Sequence, residues 1–362
     1  MPNPPPAGPA PLTYRDAGLD LDVYEKTIAG MVPHLRRTHT PRVLDDFGGF
    51  ASLFSLDYNT RLFARNYRRP VLVACTDGVG SKLKVAALAG KHDTVGIDLV
   101  AMSVNDALCT GGEPLVFLDY LAMPRDDPAL TRDLLKGISD GCMEADCALV
   151  GGETAILPDF YQPGDYDMAG FCVGVVEREH IINGKGIQAG DAVLGLASTG
   201  LHSNGYSLAR KIVFEHAGLK VTDFVPELER TVGEALLEPT RIYVRAIKNI
   251  LRHYPVKKRV VRGLAHITGE GLPGNIPRIL PPGHRVVLKR NAWTVPPVFT
   301  WLQRLGNIDQ AEMDTVFNLG IGFVMIVSRF YADSIQRQFE EDRVPTCVIG
   351  EVKQGEPGVD LK

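Results

Sequence analysis

Residues 71–82, VLVACTDGVGSK, decide the fold class because they join a strand to a glycine turn. The apolar, β-branched run 71–75 predicts a strand whose end carries Asp77. The turn that follows lets backbone N–H groups approach phosphate oxygens, while Asp77 offers a metal ligand and Lys82 a positive charge. Glycine, serine and lysine stand in the wrong order for a Walker A loop. The stretch therefore indicates either another kind of phosphate site or an ordinary Asp-Gly turn.

The composition is that of a soluble globular protein. The chain has 362 residues, of which 45% are hydrophobic and 23% charged, a size that suits about two domains. A net charge of −4 with scattered basic residues argues against nucleic acid as a partner, and no apolar run is long enough to span a membrane. The six cysteines form no C-x-x-C pair, so a reducing cytoplasm is the expected location.

Both halves of the chain mix predicted strands with predicted helices, which favours an α+β fold of two domains. The Pro-rich start, residues 1–12, predicts a disordered tail. The turn-rich segment 181–186 predicts a boundary between domains 13–178 and 179–362. In the first half, strands are predicted at 71–75, 115–121, 148–150 and 169–176, and helices at 99–108 and 130–145. In the second half, strands are predicted at 192–197, 260–265, 285–288, 322–327 and 347–352, and helices at 203–217, 241–252, 298–305 and 331–341.

Four acidic residues of the first half have apolar or glycine-rich neighbours: Asp77, Asp98, Asp106 and Glu153. If Asp98 begins a helix, Asn105 lies seven residues on and shares its face, with Asp106 beside it. Magnesium usually takes one or two carboxylates plus substrate phosphates, so the set predicts metal–nucleotide binding. The alternative is that Asp98 is only an N-cap and Asp106 only a solvated helix residue.

Two turns of the second half combine a histidine, a hydroxyl group and glycines. They are residues 200–208, GLHSNGYSL, and residues 265–271, AHITGEG. Ser203 is a natural N-cap, so free N–H groups beside His202 and Asn204 favour an anion. A single histidine is more often structural than catalytic, but two such turns suggest a phosphorylated substrate. The pair Gly48-Gly49 is a weaker candidate, equally consistent with a plain turn.

These motifs together resemble the phosphoribosylformylglycinamidine cyclo-ligase family, also called aminoimidazole ribonucleotide synthetases. The similarity runs from residue 14 to the last strand. The strings that carry it are TDGVGSKL at 76–83, GIDLVAM at 96–102, GGET at 151–154, AGFCVG at 169–174, HSNGYS at 202–207 and PTRIY at 239–243.

The resemblance implies an ATP-dependent ring closure that turns formylglycinamidine ribonucleotide into aminoimidazole ribonucleotide, ADP and phosphate. It also implies a homodimer, in which the N-terminal domains build a β-barrel with flanking helices. The N-terminal domain would carry ATP and Mg²⁺, and a C-terminal α/β domain would complete the substrate cleft.

The resemblance and the motifs together give a set of expected site residues. The metal acids would be Asp77, Asp98, Asp106 and Glu153. The nucleotide would be bound by Gly48, Gly49, Asp77, Gly78, Gly80, Ser81, Lys82 and Asn105. The substrate would be bound by Ser203, Asn204, Thr268, Gly269 and Gly271. Because imidazole titrates near neutral pH, the proton would be moved by His202 or His266.

Three departures from the family pattern affect these expectations. Glu270 stands where the family usually has glycine, and Leu201 replaces a frequent proline. Residues 45–69 are a few positions longer than in compact members, which changes the setting of Gly48 and Gly49. We expect the Glu270 side chain to turn to solvent or to pair with a basic residue.

Two other functions are open on sequence grounds. The first is another ATP-dependent enzyme of the same superfamily, such as thiamine-monophosphate kinase or selenophosphate synthetase. Those enzymes lack the 202–207 string. Selenophosphate synthetase also usually has a reactive cysteine or selenocysteine near its N-terminus, whereas the first cysteine here, Cys75, lies inside a predicted strand. The second is a catalytically silent nucleotide-binding or scaffolding subunit, against which the four intact acids argue.

Overall fold

The computed structural model describes residues 21–44, 51–57, 66–254 and 258–362. The predicted tail, residues 1–12, and the predicted phosphate contacts Gly48 and Gly49 lie outside these ranges. Among the described helices, none combines the length and the apolar character needed to cross a bilayer.

The described part of the first half contains four α-helices and four strands. In chain order they are α1 (Leu21–Arg36), β1 (Pro70–Gly78), α2 (Lys82–Ala89), α3 (Val95–Cys109), β2 (Glu113–Met123), α4 (Pro128–Glu144), β3 (Ala148–Ile156) and β4 (Asp167–Glu177). The strands form one sheet in the order β1-β4-β2-β3, with β2 parallel to β3 and the other pairs antiparallel. The order is linear, so the described strands do not close into a barrel.

Helices α3 and α4 cover one face of this sheet and pack closely on each other. A Cβ atom at Gly96 would lie 2.2 Å from the backbone nitrogen of Ile138, so only glycine permits this approach. The opposite face of the sheet is open: Leu72 is 64% exposed and Phe171 is 42% exposed. Because Thr76 pairs with Phe171 and shares the orientation of Leu72, both apolar side chains lie on this one face.

The second half is built around a six-stranded sheet. Its elements are β5 (Ala192–Ala197), α5 (Tyr206–Arg210), β6 (Phe224–Val225), β7 (Arg230–Thr231), α6 (Val232–Leu236), α7 (Val244–His253), β8 (Val261–His266), α8 (Gly271–Asn275), β9 (His284–Leu288), α9 (Pro297–Gly306), α10 (Gln310–Val316), β10 (Ile321–Val327), α11 (Ala332–Glu341), β11 (Thr346–Gln354) and β12 (Val359–Leu361). The order is β12-β9-β11-β5-β10-β8, and all seven residues of β10 are buried. Mixed α and β content in both halves confirms that part of the predicted fold class.

One predicted helix begins later than expected. The sequence predicts a helix over 203–217 with Ser203 as its N-cap, whereas α5 begins at Tyr206 and continues as a π-helical segment, Lys211–His216. The residue before α5 is Gly205, with a left-handed φ of 76°. A Cβ atom there would lie 2.4 Å from the ring of Phe317. The N-cap prediction for Ser203 is therefore wrong, because the chain turns at Gly205 first.

Candidate active site

Helix α3 connects the two halves, since it packs on β1 and β4 of the first sheet and also contacts β8 of the second. Polar residues of α3 take part in two groups of side chains, each of which includes residues from other elements. The first group is an interdomain seam, made of Lys82, Asp98, Asn105, His202 and residues 240–243. The second is a cleft group, made of Asp77, Asp106 and His266.

Lys82 is fully buried at the centre of the seam. Its ammonium group donates to Oδ1 of Asp98 at 2.9 Å, to the carbonyl of His202 at 3.0 Å and to the carbonyl of Glu238 at 2.7 Å. An ammonium group has three N–H donors, and all three are used. The prediction that Lys82 contacts phosphates is therefore wrong, because this cation has neither exposure nor a free donor.

Asp98 and Asn105 hold the same segment of the second half. Oδ1 of Asp98 accepts from the backbone N–H and hydroxyl of Thr240, at 2.8 and 2.6 Å. Asn105 donates to the carbonyl of Arg241 at 2.9 Å and accepts from the N–H of Tyr243 at 3.1 Å. The predicted shared helix face is confirmed. The predicted metal role of Asp98 and nucleotide role of Asn105 are not supported, because both side chains are fully buried and already bonded.

His202 is also a buried member of the seam. Its Nε2 accepts from the N–H groups of Thr199 at 3.2 Å and Arg241 at 3.5 Å, which places the ring proton on Nδ1. Burial, assisted by the positive charges of His266 and Lys82, holds the pKa of His202 well below its ordinary value. The His202 ring is fully buried and its Nε2 is already bonded within the seam, so its predicted catalytic role is not supported.

The cleft group brings a histidine against a carboxylate. Nδ1 of His266 lies 2.9 Å from Oδ1 of Asp106, whose side chain is 43% exposed. Behind it, the His266 ring stacks on Phe323 with centroids 6.2 Å apart, and its backbone N–H donates to the sulfur of Cys109 at 3.2 Å. Asp106 and His266 both line a cleft of 510 Å³ between the halves. A carboxylate at Nδ1 favours a proton there and leaves a lone pair on Nε2.

Asp77 completes the cleft group at the end of β1. Its Oδ1 accepts from the N–H of Gly78 at 2.8 Å. Burial raises the pKa of Asp77, the Gly78 hydrogen bond opposes the rise, and the charges of Asp106 and His266 act in opposite directions. The charges of Asp106 and His266 therefore act on Asp77, although Asp77 itself does not line the cleft.

Glu153 is far from Asp77. Across the first sheet, Asp77 stands opposite Gly170, which stands opposite Asp119, which stands opposite Gly152. Three strand spacings separate Asp77 from Gly152, about 14 Å. Asp98 is separated from Asp106 by eight helical residues, about 12 Å. The four predicted metal acids are therefore spread over the first half, and the described residues contain no group of three or more His, Cys, Asp or Glu side chains that could hold a metal ion.

Several residues predicted to bind the nucleotide or the substrate lie close together where the two halves adjoin. The Ser81 hydroxyl lies 3.3 Å from that of Ser207, next to Gly80, whose φ is 71°. Oδ1 of Asn204 lies 3.8 Å from where a Cβ atom of Gly269 would stand. The turn after β1 and the two predicted substrate turns are therefore neighbours.

Within the 266–271 turn, the members differ in what they can offer. The N–H groups of Thr268 and Gly269 have no hydrogen-bond partner in the described part of the chain. The N–H of Gly271 is used, since it donates to the carbonyl of Thr268 at 3.2 Å, so its predicted substrate contact is not supported. Ser203 is shared with the seam, its hydroxyl lying 3.3 Å from that of Thr240. Glu270 is exposed, as expected.

Sequence reasoning missed the partners of the seam and two residues of the cleft. Residues 240–243 were noticed only as a family string, and nothing local shows that they bind α3. Asn275 and Arg278 line the cleft beside His266. Asn275 is the last residue of α8, Arg278 lies in the 3₁₀ turn Ile276–Ile279 that follows, and no recognisable motif marks either position.

Comparisons with known proteins agree with the two-part architecture. Residues 66–176 match the family described as AIR synthase related protein, N-terminal domain, and residues 188–362 match its C-terminal domain. The chain is similar in fold to thiamine-monophosphate kinase from Stenotrophomonas maltophilia, with a TM-score of 0.64 and 16% identity over 92% of this chain and 96% of that one. It is similarly close to HypE of E. coli, with a TM-score of 0.64 and 15% identity over 93% of each chain.

Curated relatives are much more similar in sequence. The phosphoribosylformylglycinamidine cyclo-ligase of Citrifermentans bemidjiense is 51% identical over 97% of this chain and 98% of its own length. The enzyme of the same name from Geobacter sulfurreducens is 49% identical over 96% and 97%, and that from Thermoanaerobacter pseudethanolicus is 47% identical over 97% and 100%. The chain therefore belongs to the phosphoribosylformylglycinamidine cyclo-ligase family.

Proposed function

We propose that this chain catalyses the ATP-dependent cyclisation of formylglycinamidine ribonucleotide to aminoimidazole ribonucleotide, with release of ADP and phosphate, in purine biosynthesis. The proposal rests on sequence similarity to enzymes named phosphoribosylformylglycinamidine cyclo-ligase. Two of them are 51% and 49% identical to this chain over 97% and 96% of its length. The cleft group, with acids facing a histidine between two domains, supplies the chemical groups that the reaction needs.

The reaction has two steps. The formyl oxygen of the substrate attacks the γ-phosphorus of ATP and ADP leaves, which converts a poor leaving group into phosphate. The amidine nitrogen then attacks the activated carbon, loses a proton and expels the phosphate. The protein mainly positions the reactants and neutralises charge, as in other phosphoryl transfers. We assign the proton from the attacking nitrogen to the Asp106–His266 pair, in which the Asp106 carboxylate is the exposed group and the buried His266 ring lies behind it.

Mg²⁺ fits the cleft group. The charge of Asp106 acts on Asp77, and neither carboxylate has a lysine or arginine partner among the described residues. Magnesium is usually held by one or two carboxylates together with substrate phosphates. Asp77 and Asp106 would hold the ion, which when bound supplies positive charge to the phosphates of ATP. Nearby, Gly78, Gly80 and Ser81 would contact the nucleotide, and Asn204, Thr268 and Gly269 the substrate.

We further propose a homodimer formed by domain 13–178, with domain 179–362 closing the substrate cleft. The open face of the first sheet supports this, since Leu72 and Phe171 expose apolar area that a monomer would usually bury. Two such faces together would complete the expected barrel, near the exposed Glu153. Light scattering at micromolar concentration tests the dimer.

All six cysteines are free, and a reducing cytoplasm is the location that we propose.

ADP release tests the proposed function directly. The purified chain is given Mg²⁺ and ATP with formylglycinamidine ribonucleotide, with thiamine monophosphate, or with neither. We expect ADP only with the ribonucleotide, in equal amount to the aminoimidazole product. Phosphorylation of thiamine monophosphate would support the kinase alternative, and ADP release under no condition would support a non-catalytic protein.

A further inference from the structure

Arg278 is an exposed cation in the lining of the catalytic cleft, where Asp106 and His266 also lie. Several other arginines of the second half pair with carboxylates, among them Arg262 with Asp191, Arg285 with Asp360, Arg290 with Asp314 and Arg304 with Glu227. Within the described ranges, no carboxylate lies within salt-bridge distance of Arg278. Its charge is therefore available to an anion that enters the cleft.

Asn275 fixes the position of this guanidinium group. One Nη atom of Arg278 donates to Oδ1 of Asn275 at 3.2 Å. Asn275 is 2% exposed, and its amide nitrogen donates to the carbonyls of Gly269 and Gly271, each at 2.8 Å. Arg278 is thus connected through one buried side chain to the turn that follows His266. Such preorganisation reduces the entropy lost when an arginine binds a ligand.

The cleft lining contains groups of opposite charge, the carboxylate of Asp106 and the guanidinium of Arg278. Burial raises the pKa of the Cys109 thiol, the negative charge of Asp106 adds to the rise, and the positive charge of Arg278 opposes it. Both charged groups therefore act on one residue that contacts the His266 backbone. A phosphate monoester would be repelled by the carboxylate end and attracted to the arginine end, where the planar guanidinium can form two parallel hydrogen bonds to its oxygens.

We infer that Arg278 binds the phosphate monoester of the substrate and so orients its other end toward Asp106 and His266. This inference rests on the proposed function, because it takes the substrate to be a phosphorylated riboside. Arg278 is a binding residue that sets substrate affinity, and Asn275 is the positioning residue behind it. The phosphates of ATP would be bound elsewhere, at the turn after β1.

The test compares Arg278→Gln with Arg337→Gln, a control on the exposed side of α11 outside the cleft lining. Ribose 5-phosphate and ribose are titrated by calorimetry into wild type and both variants, after thermal melts have confirmed folding. Arg278→Lys, which keeps the charge but not the planar fork, serves if the glutamine variant does not fold. We expect Arg278→Gln to weaken ribose 5-phosphate binding about 10- to 100-fold and to leave the affinity for ribose unchanged. Arg337→Gln should match wild type.

Steady-state kinetics then show whether Arg278 binds the phosphate of the ribonucleotide substrate or a phosphate of ATP. We expect Arg278→Gln to raise KM for formylglycinamidine ribonucleotide by a similar factor while KM for ATP changes less than about twofold. A rise in KM for ATP alone, an unchanged affinity for ribose 5-phosphate, or no detectable binding of it by wild type would overturn the inference. If wild type does not turn over the ribonucleotide, the proposed function fails, and the ribose 5-phosphate titration still decides the role of Arg278.

Discussion

Asp98 and Asp106 lie on the same helix, yet they belong to opposite kinds of site. The Asp98 side chain is fully buried against a lysine, whereas the Asp106 side chain is 43% exposed against a histidine. Removing a charge from water is costly unless a partner compensates it, and in the seam the Asp98 carboxylate is compensated by the ammonium group of Lys82 and by the N–H and hydroxyl of Thr240. The cleft keeps its carboxylate in contact with solvent. The seam therefore joins the domains, and the cleft is free for chemistry.

The largest effect is expected for Asp106→Asn, a change confined to the cleft. Asparagine cannot stabilise a charged His266 or supply a carboxylate to Mg²⁺, so turnover should fall about 10²- to 10⁴-fold. The free energy of unfolding should change little, because the side chain is partly exposed. ADP release and urea denaturation measure the two quantities. A large loss of stability with retained turnover would show that Asp106 belongs to the seam.

Lys82→Met should have the largest effect on stability. It leaves Asp98 buried without a cation, which costs about 3–5 kcal/mol of unfolding free energy. The matched control is Lys84→Met, because Lys84 pairs with Asp165 at the surface with side chains 47% and 31% exposed. That pair should contribute less than about 1 kcal/mol. Equal losses in the two variants, measured by urea denaturation, would contradict the buried role of Lys82.

Stability should fall in mild acid because of the seam. The pKa of His202 is well below its ordinary value in the folded chain, so unfolding takes up a proton once the pH drops below about 6.5. The stabilisation is present above that pH and is lost as the pH falls. His34 and His92 act in the same direction, since burial lowers the pKa of each. Unfolding free energies between pH 5 and 8 should show a flatter dependence for His202→Gln, and an unchanged slope would contradict this account.

The smallest effect is expected for Glu270→Gly. The Glu270 side chain is exposed and forms no salt bridge among the described residues, although its φ of 71° is left-handed. Glycine accepts this backbone conformation at no cost. KM for formylglycinamidine ribonucleotide should therefore change by less than about tenfold, ~1.4 kcal/mol. A larger change in either direction would give Glu270 a direct role in the cleft.

The sequence predicted the architecture better than it predicted the use of individual polar atoms. Strand β1, helix α3 and the buried strand β10 follow from apolar periodicity, which is a local property. The shared face of Asp98 and Asn105 was also predictable, because helical spacing fixes it. Lys82 was misread because a lysine after a glycine turn has the same local pattern whether it binds phosphate or a buried carboxylate.

The partners that decide between these roles are distant in sequence. Asp98 is bound by Thr240, which is 142 residues away, and Asp106 by His266, which is 160 residues away. Only the fold shows which acid meets the lysine and which meets the histidine. Arg278 was not predictable for the same reason, since its function depends on a cleft formed by both halves.

A matched pair of histidine variants tests the central claim most directly. Sequence allows either His202 or His266 to move the proton. The fold buries both rings, but it bonds His202 within the seam and places His266 in the cleft lining against the exposed Asp106 carboxylate. The measurement is kcat/KM for ADP release dependent on formylglycinamidine ribonucleotide, per folded molecule, in His202→Gln and His266→Gln. We expect a loss of about 100-fold or more for His266→Gln and less than about tenfold for His202→Gln. The reverse order, or equal losses, would contradict it.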